Sequence, residues 1–224
     1  ITVHVLNNLN VSKSETWKAQ VQLSDGTATS AYVNTTELLI LNTQPNVTTP
    51  AFNQTSYTRD QNINVSTLVT DVDLDLSNVT FEWFRNNASI RRITNNNLAN
   101  ATNTSDTLAA YTLSKGQTIK VGVFAFDGSS NSTLVNSTEL LIGNSAPVFL
   151  INPLINSTNG LNTTEQNLNV FFTSNDTDAD SLTYSIQYFR NNISNFTLTS
   201  VAANLNVITV HVLNNLNVSK SETW

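Results

Sequence analysis

Residues 1–17 read ITVHVLNNLNVSKSETW, and residues 208–224 repeat them without a change. Identity over that length marks a tandem repeat with a period of 207 residues. Such arrays string one structural unit after the next, each touching its neighbours. The chain covers a little more than one period, so what it folds into must be able to follow itself.

A weaker repeat lies inside the first. DGTATSAYVNTTELLILNTQP (25–45) aligns with DGSSNSTLVNSTELLIGNSAP (127–147) at an offset of 102, and Ser12-Lys13 meets Ser114-Lys115 at that same offset. QNINVSTLVTDVDLD (61–75) aligns with QNLNVFFTSNDTDAD (166–180) at an offset of 105, and Phe84-Arg85-Asn86-Asn87 meets Phe189-Arg190-Asn191-Asn192. Two diverged modules therefore make one period. The four prolines, Pro45, Pro50, Pro147 and Pro153, fall in two places one module apart. Proline is excluded from central strands, which sets the boundaries. Residues 1–45 are the C-terminal part of a module, 46–147 a complete one, and 148–224 the N-terminal part of another, with 208–224 repeating 1–17.

Within a module the hydrophobic period is two. Val79, Phe81 and Trp83 alternate with Thr80 and Glu82, and Val21 and Leu23 alternate with Gln20 and Gln22. Alternation of this kind predicts half-buried strands. Asp25-Gly26 and Asp127-Gly128 lie between apolar runs and predict tight hairpins. No segment has a helical period. Six or seven short strands per roughly 100 residues predict an all-β fold of tandem immunoglobulin-like β-sandwich modules. Trp83 belongs in the core, and Trp17 and Trp224, at the position of Ile119, read as core rather than as sugar platforms.

Composition narrows the function. Leu, Ile, Val and Phe make up about 29% of the chain, above the roughly 20% below which disorder is the better expectation. Only 12% of residues are charged, and Asn, Ser and Thr take their place. The net charge of −6 argues against nucleic acid, which needs clustered Lys and Arg. No apolar run is long enough for a membrane span. Cysteine is absent, which removes thiol and cysteine–metal chemistry. His4 and His211 are one repeat position, alternating with valines, and no second kind of histidine exists to build a triad. The six glutamates are scattered, no glycine-rich phosphate loop is present, and the expectation is that the protein is not an enzyme.

Two patterns remain as candidate sites. Asp71, Asp73, Asp75 and Asp176, Asp178, Asp180 are alternate carboxylates in loops, a pattern that converges on a hard cation such as calcium or else forms a solvated acidic turn. Leu74 and Ala179 stand where a calcium loop of the EF-hand type has glycine. The second pattern is Asn-x-Ser/Thr, which occurs 17 times: Asn10, Asn34, Asn46, Asn53, Asn64, Asn78, Asn87, Asn100, Asn103, Asn131, Asn136, Asn156, Asn162, Asn175, Asn192, Asn195 and Asn217. That is about twice the chance expectation and predicts N-linked glycans on a chain poor in surface charge.

The order in which the motifs occur resembles the immunoglobulin-like, cadherin-like and PKD-like repeats strung along surface proteins of bacteria and archaea. Asp71, Asp73, Asp75, Trp83, Ser114, Lys115, Asp127, Gly128, Asn144 and Pro147 carry the likeness. The resemblance implies a seven-strand sandwich and a non-enzymatic place outside the cell, at the cell surface. The expected function is a structural subunit or repeat of an extracellular, glycosylated filament whose partners are copies of itself, head to tail. The alternative is a spacer, stalk or carbohydrate-binding module of a surface adhesin. Residues 1–45 and 148–207 add up to one module, and neither closes a core alone. Either the polypeptide continues as an array, or 1–45 of one copy docks on 148–207 of the next.

Overall fold

The computed structural model describes residues 5–215 and 223. His4, Asn217 and Trp224 lie outside the described residues. Among those described, the chain is all-β, with one 3-10 turn at Asn8–Asn10. It divides into two compact units: residues 1–55, 62–109 and 117–141, and residues 56–61, 110–116 and 142–224.

The first unit contains a β-sandwich. One sheet runs in the order Ala88–Leu98, Ser77–Arg85, Thr118–Phe126, with residues 140–141 and Val135–Asn136 added to the outer side of Thr118–Phe126. The other runs Thr102–Leu108, Ile63–Thr70, Asn46–Val47, and Ala51–Phe52 also pairs with Ile63–Thr70. Alternation sets the two faces. Ile63, Val65 and Val69 from one sheet, and Val79, Phe81, Trp83, Ile119, Val121, Val123 and Ala125 from the other, are 3% exposed or less. Trp83 is fully buried, leans on Phe52, and donates its indole N–H to Asp106 Oδ2 at 2.7 Å.

The turn between Ser77–Arg85 and Ala88–Leu98 consists of Asn86 and Asn87, both at positive φ (47° and 66°). Asparagine tolerates that region, and two such residues make the two-residue turn whose twist suits a hairpin. At the other end, Gly128 (φ 94°) follows Asp127, whose Oδ1 accepts the N–H groups of Ser129 and Ser130 at 2.6 and 2.7 Å.

Residues 12–45 of this unit form small hairpins: Thr16–Trp17 with Leu38–Leu39, and Gln20–Val21 with Val33–Asn34. Trp17 is half-buried and donates its ring N–H to Glu15.

The second unit holds a three-stranded sheet, Val148–Ser157, Leu168–Asn175, Ile208–Leu213, and a hairpin, Leu182–Arg190 with Ile193–Ala203, which turns on Asn191-Asn192, again at positive φ. Val170, Phe172, Tyr188 and Leu213 make its buried core, with Leu168, Tyr184 and Ile186 against them. Tyr188 stands where the first unit has Trp83. Burial, aided by Tyr184, raises its phenol pKa.

Candidate functional site

Each Asp-x-Asp-x-Asp run folds as a tight loop. Asp71 is buried, and its Oδ1 accepts the N–H groups of Asp73 (2.8 Å) and Asp75 (3.3 Å). Asp176 does the same for Asp178 and Asp180, at the same distances. The first aspartate of each run is thus a backbone acceptor, the Asx turn typical of this residue. Leu74 (φ 64°) and Ala179 (φ 61°) take the left-handed position that glycine fills most easily.

The second and third aspartates face outward onto other segments. Asp73 Oδ2 accepts the Thr43 N–H at 2.6 Å, and Asp75 Oδ2 is held by the Lys13 ammonium. Lys13 also donates to Asn42 Oδ1 at 3.0 Å. In the second unit Asp178 takes the Ser145 N–H, Asp180 takes the Lys115 ammonium, and Lys115 donates to Asn144 Oδ1 at 3.0 Å. The same clamp is built twice from counterpart residues. It ties the lysine and asparagine that precede a boundary proline to the acidic loop that follows it. The hydrogen bond to Asp75, together with the nearby carboxylates, raises the Lys13 pKa against the opposing effect of burial, and Asp180 does the same for Lys115.

The carboxylates of Asp71, Asp75 and Asp127 come within 4.8 Å of one another, as do those of Asp176, Asp178 and Asp180. Sequence spacing brought Asp73 into the first group; the fold substitutes Asp127, delivered by the distant Asp-Gly turn. Calcium takes six to eight oxygens. Three carboxylates, one already holding an ammonium, fall short of that shell. Lys13 and Lys115 place an ammonium beside each cluster. Chelation with excess EDTA is therefore expected to leave the melting temperature unchanged in calorimetry. A fall of several degrees, restored by calcium, would show that the loops recruit a cation beside the lysine.

Asp127 is also buried. Burial alone would raise its pKa, but hydrogen bonds from Asn42 Nδ2, from the Ser130 and Ser129 N–H groups and from the Ser130 hydroxyl outweigh it and hold the group at about 2. A carboxylate depressed below its ordinary 3.8 stabilises the folded state above that ordinary value and loses its contribution as pH falls towards about 2. Asp127→Asn is expected to flatten the acid limb of the stability curve between about pH 4 and about pH 2, read by chemical denaturation of wild type and variant.

The Asn-x-Ser/Thr sites are distributed, not clustered. Of the 16 within the described residues, Asn10, Asn34, Asn46, Asn53, Asn87, Asn100, Asn103, Asn131, Asn136, Asn156, Asn162, Asn192 and Asn195 are exposed. Asn64, Asn78 and Asn175 are half-buried, and none is buried. Asn64 donates its amide to Thr107, and Asn78 accepts the Asn97 N–H. His211 lies beside Tyr184 and Tyr188 with ring centroids 6.4 and 6.2 Å away. It stands where the first unit has Asp106, which pairs with Trp83 and Arg91. That counterpart relation assigns it to core packing.

No helix among the described residues is long and apolar enough to cross a membrane. No protein-family model matches the sequence, and no curated protein matches it. Among solved structures, the chain is similar to the FN1-FN3 domains of chicken CNTN1, with 11% identity, a TM-score of 0.33, and coverage of 91% of this chain and 73% of that one.

Proposed function

We propose that this chain is a structural link in an extracellular, glycan-coated array of immunoglobulin-like modules joined head to tail. It is a surface repeat of the kind found along large proteins of bacteria and archaea, and not a catalyst. The observation that carries this reading is the clamp built twice: Lys13, Asn42 and Thr43 on the 71–75 loop, and Lys115, Asn144 and Ser145 on the 176–180 loop. A contact repeated with the same atoms one module later is what a chain of equivalent links requires.

The sugar coat follows from the sequons, whose described acceptors all keep some exposure. Glycans would solvate a surface with few charges and blunt the strand edges that otherwise invite aggregation. Two measurements on native material test the proposal. Electron microscopy is expected to show thin unbranched fibres, and isolated globular particles would contradict it. Peptide mass spectrometry is expected to find hexose-bearing glycopeptides at most exposed acceptors, and unmodified asparagine throughout would remove the glycan coat.

A further inference from the structure

In the second unit, Leu182–Arg190 pairs on one side with Ile193–Ala203 and has no second strand partner among the described residues. Its counterpart 105 residues earlier, Ser77–Arg85, is flanked on both sides, by Ala88–Leu98 and by Thr118–Phe126. An unpaired strand edge with an apolar inward face is a template for strand addition. Here that face carries Tyr184, Ile186 and Tyr188.

The counterpart of Thr118–Phe126 at the other end of the chain is residues 16–24, and it is already folded as a donor. Thr16↔Leu39, Trp17↔Leu38, Gln20↔Asn34 and Val21↔Val33 reproduce Thr118↔Leu141, Ile119↔Leu140, Gly122↔Asn136 and Val123↔Val135. Only burial differs. Val121 and Val123 are 0% exposed, whereas Val21 and Leu23, at the positions of Val123 and Ala125, are 53% and 71% exposed.

Thr223, the repeat of Thr16, marks where the added strand begins. It accepts the Asn191 N–H at 2.8 Å and gives its own N–H to Asn191 Oδ1 at 2.9 Å. Thr118 makes the same two bonds with Asn86, at 3.0 and 2.8 Å.

We propose that residues 18–24 of a second copy of this chain add antiparallel to the open edge of Leu182–Arg190, with Val21 opposite Ile186 and Leu23 opposite Tyr184, the second copy's Thr16 taking over from Thr223 its place at Asn191. The proposal rests on the head-to-tail reading above and gives it a register. The occupant follows from the repeat: 208–224 is 1–17, so the sequence that succeeds this segment in the period is 18 onward. The side chains also fit. Ala19 comes opposite Tyr188 where the first unit pairs Val121 with Trp83, and Leu23 comes opposite Tyr184 where it pairs Ala125 with Val79. The larger Leu23 has somewhere to go, since Tyr184 borders a cavity of about 250 Å³ lined also by Phe149, Phe172, Leu182 and Ala203. Gln20 and Gln22 meet Gln187 and Ser185 on the outer face.

The chain has no cysteine, so single cysteines report cleanly. Val21→Cys and Ile186→Cys, placed in separate copies, are mixed under mild oxidation, and cross-linked peptides are identified by mass spectrometry. The register predicts a 21–186 disulfide in high yield and little 21–187 product when Gln187→Cys replaces Ile186→Cys. Equal yields, or no 21–186 product, in a mixture that sediments as oligomers would overturn the register while leaving the array intact. A mixture that sediments only as monomer would overturn both. Leu23→Asp is the second variant: it lies outside the 46–147 sandwich, so the far-UV circular dichroism should stay native while association is lost. Undiminished association would overturn the proposal.

Discussion

Trp83→Ala is expected to destabilise the first unit by about 3–5 kcal/mol, the usual cost of removing a large aromatic from a packed core. Trp83 is 0% exposed, in ring contact with Phe52, and opposite Val121 across the strand pair. The loss has two parts. The cavity forfeits dispersion contacts on every side. Asp106 also loses its indole donor and is left with Arg91, a partly buried pair at 2.8 Å. Trp83→Phe separates the two, since it keeps most of the ring and removes the N–H. It should recover more than half of the loss. Domains of this kind are stable by only about 5–15 kcal/mol, so the alanine variant is expected to melt tens of degrees lower, or to arrive unfolded. Denaturation followed by circular dichroism measures this directly.

Asp71→Ala is expected to be the second largest effect, about 2–3 kcal/mol, from two backbone N–H groups left without an acceptor in a closed loop. Asp71→Asn retains Oδ1 as an acceptor while removing the charge, so it should restore most of the loss. If charge were the important property, Asn would behave like Ala. The same pair of substitutions at Asp176 should give the same ranking in the second unit, because its loop has the same bonds. Asp73→Ala and Asp75→Ala should cost less, since those side chains are partly exposed and each makes one contact.

Much of the fold was legible because it rests on local pattern. The two-residue period through Val79, Phe81 and Trp83 and through Val21 and Leu23 placed strands, and Asp127-Gly128 placed a turn. The offsets of 102 and 105 identified counterpart strands that pair alike in both modules. The Asn86-Asn87 and Asn191-Asn192 turns were visible as conserved text between the modules, but their role as a positive-φ pair needed the backbone.

The acidic loops were found from spacing, whereas their partners were not. Lys13 and Lys115 lie 62 and 65 residues from the aspartates that they pair with, and Asn42 and Asn144 lie 29 residues from those lysines. No local period links residues that far apart. The available signal was their own recurrence: Ser12-Lys13 and Asn42 return as Ser114-Lys115 and Asn144. Asp127 entered the first cluster for the same reason, since only the folded sheet brings its turn to Asp71. Sequence did foresee that residues 1–45, as part of a module, leave an apolar face uncovered; it did not show which positions stay exposed, Val21 and Leu23 among them.

Sedimentation velocity of the intact chain over a range of concentrations tests the central claim most directly. If an exposed hairpin of one copy completes the open sheet of another, the average mass must rise with concentration into elongated multiples of 24.5 kDa, and Leu23→Asp must abolish the rise. A single compact species of 24.5 kDa at every concentration would contradict the account.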